Sequence, residues 1–363
     1  MRMIGLMSGT SLDGVDAVMA DFDASGHPRP CGHLHSPYSA ELATALRNIN
    51  ADSPLAHLLA LDARLAGVYA AAVESLLHAT GCTRRQVSAI ALHGQTLWHA
   101  PLADPPVTCQ AGDPSRLAEA TGLPVVADFR QRDLAAGGVG APLAPVFHAA
   151  LLGGEQRRCV VNVGGVANLS VLAAGGRAEA GFDTGPGNAL MDAGARRYLD
   201  SAFDRDGAWA ASGQVDSAFL DRLLADPYFQ RPPPKSLDVS TFDPHWLDAH
   251  AGQPAQPVDR QATLLALTAE TIAAAVERWG GGPRDVVITG GGAANTALCR
   301  ALDHRLGGER PLKTSDELGI PALQVEALGF AWLGRATLLG EPVDLTAITG
   351  ARRPTVLGGI YPA

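Results

Sequence analysis

Cysteine is scarce in this chain, with Cys31, Cys82, Cys109, Cys159 and Cys299 the five in 363 residues and no C-x-x-C pair among them. That scatter argues against a zinc finger or a disulfide framework and fits a reducing compartment. Charge is thin as well, at 18% Asp, Glu, Lys and Arg, and the formal balance is −9. Without a basic tail or stripe, nucleic acid is not an expected partner. An acidic chain still binds a polyphosphate when a few backbone amides and a metal ion hold it locally. Uninterrupted apolar stretches long enough to cross a bilayer are missing too, and Arg2 leads into a glycine-rich turn without the apolar core and cleavage site of a secretory signal. The expectation is a cytoplasmic protein with no membrane partner.

What is abundant is apolar surface and turn-forming residues: 47% hydrophobic, 41 glycines and 25 prolines. The length exceeds the ~100–200 residues of a single domain, so two domains sharing a cleft are expected. Met1–Met7 reads as a strand, followed by a Ser-Gly-Thr-Ser turn and a second strand to Phe22. Helices are predicted over 40–49 and 55–79, and a strand over 87–92. The polar, glycine-rich stretch 128–140 is read as the domain boundary. Beyond it come a helix over 143–152, strands over 159–163 and 167–172, a long helix over 260–279, a strand over 286–289 and a helix over 295–306. The final helix spans 322–339. Gly5–Asp16 and Asn162–Ser170 each join two apolar strands through a glycine-bearing turn, which two related halves would produce and which common hairpins would produce as well.

Three motifs carry chemistry. Gly5-Leu6-Met7-Ser8-Gly9-Thr10-Ser11-Leu12-Asp13-Gly14-Val15-Asp16 places small residues after a strand, where backbone amides and hydroxyls can surround phosphate oxygens. The Walker pattern with its lysine is absent, and a solvated surface hairpin is the plain alternative. Gly181 to Asn188 sets Asp183 among glycines, where it is the candidate general base or the cap of a helix over 188–198. Thr289 to Asn295 joins a strand to a helix through Gly290, Gly291 and Gly292, which could take a flat adenosine or be a simple flexible turn. Arg130, in Asp128-Phe129-Arg130, suits a carboxylate, since guanidinium grips one with two hydrogen bonds. His93-Gly94-Gln95-Thr96-Leu97-Trp98-His99 sets polar side chains beside an aromatic ring, which suits a carbohydrate or carboxylate ligand; its two histidines lack the i, i+4 spacing of a helical zinc pair, and a hydrogen-bonded core histidine is the plain alternative for either.

Together these segments resemble the 1,6-anhydro-N-acetylmuramic acid kinase family of the sugar kinase, heat-shock 70 and actin superfamily. The resemblance runs from Gly5 to Pro362, through GLMSGTSLDGVD, HGQTLWH, GDPSRLAEATGLPVVADFR, NVGGVANLS, GFDTGPGNALMDA, PPPKS, ITGGGAAN and TGARRPTVLGGIYP. It implies an α/β, two-domain actin/hexokinase-like fold, the duplicated ribonuclease H-like type with a central interdomain cleft. Domains are expected over 1–130, with the tail 340–363 packing on it, and over 131–339.

By the same resemblance, Ser8, Gly9, Thr10, Ser11, Leu12, Asp13, Gly14 and Asp16 form the first phosphate loop. Asn162, Gly164 and Gly165 form the second with Gly185, and Gly290, Gly291, Gly292 and Asn295 the adenosine loop. Asp183 is then the catalytic base, and Gln95, Arg130 and Glu326 meet the sugar, Arg130 at its lactyl carboxylate. ATP and Mg²⁺ are the implied cofactors, Asp16 being the candidate for the metal. The implied reaction is hydrolysis of the 1,6-anhydro ring with water as co-substrate and phosphorylation of O6, in murein recycling, by a homodimer.

A conventional hexose kinase on the same fold, or a nucleotide-gated binding protein, would share most of these motifs. Three positions depart from the family pattern: Val139 stands for a glutamine, Gly194 for a tryptophan, and Leu237-Asp238-Val239 for Thr-Gly-Arg. None of them is expected to touch the base or the phosphate loops.

Overall fold

The computed structural model describes residues 1–237, 241–250, 252–308 and 310–363. The chain divides into two compact units, Met1–Leu151 with Gln324–Ala363, and Leu152–Leu323. The boundaries therefore fall after Leu151 and before Gln324, displaced from the expected 130/131 and 339/340. The polar stretch 128–140 that suggested a boundary is instead an internal corner of the first unit. Its Asp133, fully buried, accepts from the Gly140 N–H at 2.8 Å and from Thr349 Oγ1 at 2.9 Å, which satisfies a carboxylate that burial would otherwise penalise. The final helix joins the first unit for a steric reason: the Ala327 carbonyl sits where a Cβ on Gly5 would lie, so only glycine lets helix and strand approach that closely.

In chain order the first unit opens with β1 (Arg2–Met7), β2 (Gly14–Phe22), β3 (Pro28–Pro37), α1 (Ala40–Arg47), α2 (Leu55–Thr80) and β4 (Ala89–Leu92). It continues through β5 (Gln95–Ala100), β6 (Val107–Ala111), α3 (Pro114–Thr121), β7 (Val125–Ala127), α4 (Phe129–Ala135) and α5 (Ala144–Leu152). The second unit holds β8 (Arg158–Val163), β9 (Val166–Leu172), β10 (Ala178–Pro186), α6 (Ala189–Leu199), α7 (Ala208–Ala211) and α8 (Ser217–Leu224). It then adds α9 (Pro244–Asp248), α10 (Pro257–Trp279), β11 (Asp285–Thr289), α11 (Thr296–Leu306) and β12 (Leu312–Thr314). The chain returns to the first unit with α12 (Val325–Leu338) and β13 (Gly359–Tyr361).

Among the described residues the main sheet of the first unit runs β13-β7-β4-β1-β2-β3 and that of the second β12-β11-β8-β9-β10. In both, a three-strand antiparallel meander (β1-β2-β3, β8-β9-β10) is followed by parallel additions on the first strand (β4 on β1, β11 on β8) and then one strand farther out (β7, β12). The same order in both halves decides between duplication and coincidental hairpins. Each sheet is backed by its own apolar core, with Ile4, Leu6, Leu65, Tyr69 and Ile90 in one and Val161, Leu169, Phe182, Leu267 and Ile288 in the other.

Helix α2 is, by length and composition, apolar enough to cross a membrane, which the sequence reading did not anticipate because Asp62, Arg64 and Glu74 interrupt the run. Its Leu61, Leu65, Tyr69, Val73, Leu76 and Leu77 are packed into the first unit's core.

Candidate active site

In the second unit, three loops distant in sequence meet at one end of the sheet. Gly187 N–H donates to the Gly165 carbonyl at 2.9 Å, Asn188 N–H to the Gly164 carbonyl at 2.8 Å, and Asn188 Nδ2 to the Val163 carbonyl at 3.2 Å. Gly290, at φ +74°, comes so near Asn162 Oδ1 and the Val163 carbonyl that no side chain would fit. The β8–β9 turn, the end of β10 and the turn after β11 thus form one ledge, with Gly165 and Gly291 exposed on it. Two of the residues grouped with these loops have structural work. Asn295 caps α11, its Oδ1 accepting from Leu298 N–H at 3.0 Å, and Gly185 is buried where a Cβ would press on Phe229 and Thr271.

Asp183 does not lie in a turn and does not cap a helix. It sits inside β10, across from Asn168 of β9, just before a bulge at Gly185. The cap position of α6 belongs to Asn188. A bulge re-aims the side chain beside it, and here it leaves the carboxylate against the segment 231–237. Leu237 N–H donates to Asp183 Oδ2 at 2.8 Å, Asp183 N–H donates to the Lys235 carbonyl at 3.2 Å, and Tyr228 OH donates to the Asp183 carbonyl at 2.8 Å. Burial pushes the Asp183 carboxyl up to about 6, opposed by the Leu237 N–H and by the Lys235 ammonium. Such a group is ionised at neutral pH yet basic enough to accept a proton.

One of the three departures therefore does touch the proposed base. Leu237 does so through its backbone N–H, so the bond survives whatever side chain stands there; Asp238 and Val239 lie outside the described residues. Gly194 lies on α6, lining an open pocket with Tyr198, Trp209 and Arg260, and Val139 is fixed by its N–H to the Thr349 carbonyl at 3.0 Å.

In the first unit the β1–β2 turn exposes Thr10, Ser11 and Asp13, with Leu12 held at φ +56°. Other members of the expected loop point elsewhere. Ser8 is buried, its Oγ 2.6 Å from Tyr69 OH, and Gly14 is buried because a Cβ would strike Ser36 and Pro37 of β3. Asp16 is on β2, its Oδ1 shared by His33 Nε2 at 3.2 Å and His35 Nδ1 at 3.1 Å, while Asp13 Oδ1 accepts from Ser11 Oγ at 2.9 Å. Among the described residues no group of three or more His, Cys, Asp or Glu side chains forms a metal cage. Gln95, fully buried, holds the turn in place: its Nε2 donates to the Gly9 carbonyl at 3.2 Å and its Oε1 accepts from Tyr38 OH at 3.3 Å.

Arg130, at the start of α4, donates from Nε to His93 Nε2 at 3.1 Å and from Nη1 to the Gly140 carbonyl at 2.9 Å. Burial pulls the guanidinium down to about 10, against the opposing fields of Glu326 and Asp133, so it stays charged. Burial and the adjacent Arg130 charge push His93 down to about 3, and its ring packs on Phe330 at 4.6 Å. A neutral His93 with an accepting Nε2 orients Arg130. Arg130, Glu326 and His93 thus converge in the first unit, as Asp183, Tyr228 and Lys235 do in the second. Lys235 and Tyr228 were not legible as site residues, although the PPPKS motif marked the segment.

The model of the family described as anhydro-N-acetylmuramic acid kinase matches residues 1–363. An anhydro-N-acetylmuramic acid kinase from Cupriavidus metallidurans is 44% identical over 99% of this chain and 97% of its own length, and one from Variovorax paradoxus is 47% identical over 99% and 98%. Among solved structures, the (R)-2-hydroxyglutaryl-CoA dehydratase component A of Acidaminococcus fermentans superposes with a TM-score of 0.50 at 13% identity, covering 92% of this chain and 96% of that one, a likeness of fold alone. With the family model spanning every residue and relatives this similar along nearly their whole length, the chain is a kinase and belongs to the anhydro-N-acetylmuramic acid kinase family.

Proposed function

We propose that the chain uses ATP and water to convert 1,6-anhydro-N-acetylmuramic acid into N-acetylmuramic acid 6-phosphate and ADP, with Asp183 as the general base. In the bicyclic sugar O6 is bonded to C1, so no free hydroxyl exists to phosphorylate until that bond breaks. Water attacks C1 as its proton passes to Asp183; the C1–O6 bond breaks, O6 bonds to the γ-phosphorus, and the bond from that phosphorus to the ADP oxygen breaks. The phosphoryl group takes the place of the general acid in ordinary glycoside hydrolysis, so one carboxylate suffices where a glycosidase needs two.

The observation that carries this reading is the state of Asp183: one carboxylate, desolvated to about 6 and aimed by a backbone N–H at 2.8 Å. Arg130, charged and oriented by His93, suits the lactyl carboxylate, with Glu326 beside it. The exposed amides and hydroxyls of 9–13 and the ledge of 164–165 and 290–291 suit phosphates and adenosine. Magnesium bound to ATP as the substrate complex would screen the phosphoryl oxygens; Asp16, the carboxylate expected to meet it, is shared by His33 and His35, and Asp13 is the exposed carboxylate of the first loop. The five free cysteines suit a reducing cytoplasm, and the homodimer implied by the resemblance belongs to the same reading.

Turnover in ¹⁸O-water tests the chemistry, since label at C1 of the product is expected only if the bridge is hydrolysed. A product that carries no ¹⁸O when isolated before anomeric exchange would exclude this reaction.

A further inference from the structure

Lysine is nearly absent from this protein: of 28 basic residues only Lys235 and Lys313 are lysine, the remainder being arginine. Lys313 is spent on an ion pair with Asp285 at 2.9 Å. Lys235 makes no ion pair among the described residues and occupies a site of different chemistry. Its Nζ lies 4.6 Å from the Tyr228 ring centre, 4.8 Å from that of Trp279 and 5.9 Å from that of Phe182, and donates to the Tyr228 carbonyl at 3.3 Å. Phe182 and Trp279 meet edge to face at 5.5 Å, giving the cage rigid walls. An ammonium attracted by three ring faces is held in place by the rings and the Tyr228 carbonyl.

The same segment grips Asp183 at two points, the Lys235 carbonyl and the Leu237 N–H, and Tyr228 contributes both a wall of the cage and the hydroxyl bonded to the Asp183 carbonyl. We propose that Lys235 is a positioning residue for Asp183: the caged ammonium docks the 231–237 segment onto β10 and supplies the positive field that keeps the carboxylate ionised. The proposal rests on the reading of Asp183 as the base and extends it to the group that tunes it.

The direction of the electrostatics agrees. Lys235 lowers the Asp183 carboxyl against the upward push of burial, and Asp183 raises Lys235, which burial, Arg278 and Arg231 together bring down to about 8. The groups facing the pair within the second unit are Tyr228, itself pushed upward to above the usual phenol range by burial and Asp183, the guanidiniums of Arg231 and Arg278, and the neutral Asn168 across the ladder.

The test is the ¹³C carboxyl titration of Asp183 in the full chain, assigned by its loss in D183N, together with the pH dependence of kcat. In K235M the Asp183 midpoint is expected to rise by about one pH unit, and the acid limb of kcat to rise with it, because an adjacent opposite charge lowers a carboxyl by roughly one to three units and Lys235 is the weakest of the three influences on Asp183. K235R is expected to bring both back toward the native values. K235Q, which keeps a polar chain of similar reach, serves if K235M does not fold. An unmoved midpoint in the folded variants, with kcat reduced equally at every pH, would overturn the proposal. If D183N remains active while K235M moves the midpoint, the base assignment falls and the Lys235 coupling stands; an inactive D183N with an unmoved midpoint gives the reverse.

Discussion

The two units share one strand order yet are furnished differently at equivalent places. In the first, β2 and β3 face each other through Asp16, His33 and His35, a partly exposed cluster in which the carboxylate has two histidines beside it. In the second, the corresponding third strand carries Asp183, desolvated and covered by the segment 231–237. Likewise the buried charge of the first unit, Arg130, cannot discharge at any physiological pH, whereas that of the second is lifted to about 6 and can. Burial moves both groups toward their uncharged forms, and because a guanidinium starts far above neutral pH and a carboxyl well below it, only the carboxyl is brought close to neutral.

The sharpest way to break that comparison is D183N. Its kcat is expected to fall ~10²–10⁴-fold, the usual share of a general base, in a coupled ADP-release assay with the anhydro-sugar. Near-native turnover would remove the base from the second unit altogether. In the unsubstituted protein kcat should decline as pH drops through about 6, because the protonated carboxyl cannot accept the water proton.

Next in size is the anchor. R130M is expected to raise the KM for the sugar ~10–100-fold with a smaller change in kcat, the loss of a charge-assisted bond of about 1.5–3 kcal/mol. An unchanged KM would show that Arg130 serves only the corner at Gly140.

The same carboxylate leaves a mark on stability. Its folded pKa lies above the unfolded value of 3.8, so the native state holds the proton longer, and stability from this group is lost as pH rises from about 4 through about 6. D183N avoids that cost and keeps an oxygen for the Leu237 N–H. Urea denaturation should therefore find it more stable than the native chain at pH 7–8, by up to ~3 kcal/mol, with the gap closing toward pH 4. An equal or larger gap at pH 4 would mean that the carboxylate charge is not the cause.

The smallest effect concerns His93. H93Q, whose amide oxygen can still accept from Arg130 Nε, should change the sugar KM only a few-fold, while H93L should cost ~10-fold through the lost acceptor. Because His93 is neutral down to about pH 3, the native KM should be flat between pH 5 and 8 on its account. A step in KM near pH 6.5 that H93Q abolishes would contradict the assigned protonation state.

Much of this was legible beforehand where the signal is local. Strands β1, β2, β8 and β9 and helices α2 and α10 follow from apolar periodicity and turn residues, and the glycine-bearing turns after β1, β8 and β11 were found as candidate ligand loops. Strand β3 was missed because Pro28, Pro30, Gly32 and Pro37 argue against a strand, and only its edge position, with β2 on one side, tolerates them. Strand β10 was read as a turn because Gly181, Gly185 and Pro186 look like punctuation; the bulge and the close approach of α10 are what those residues serve.

What the amino-acid order determined by itself was the family, the α/β class and the positions of the loops, with Asp183 and Arg130 as candidates, because each is written in a contiguous run whose residue types limit the backbone or the chemistry. Only the tertiary structure decided that Ser8, Gly14, Gly185 and Asn295 serve packing and capping, that His93 orients Arg130, and that Lys235 stands caged beside the segment that holds Asp183. Those roles depend on what burial removes from water and on which groups from distant segments come within hydrogen-bonding reach, and neither is a property of any single stretch of sequence.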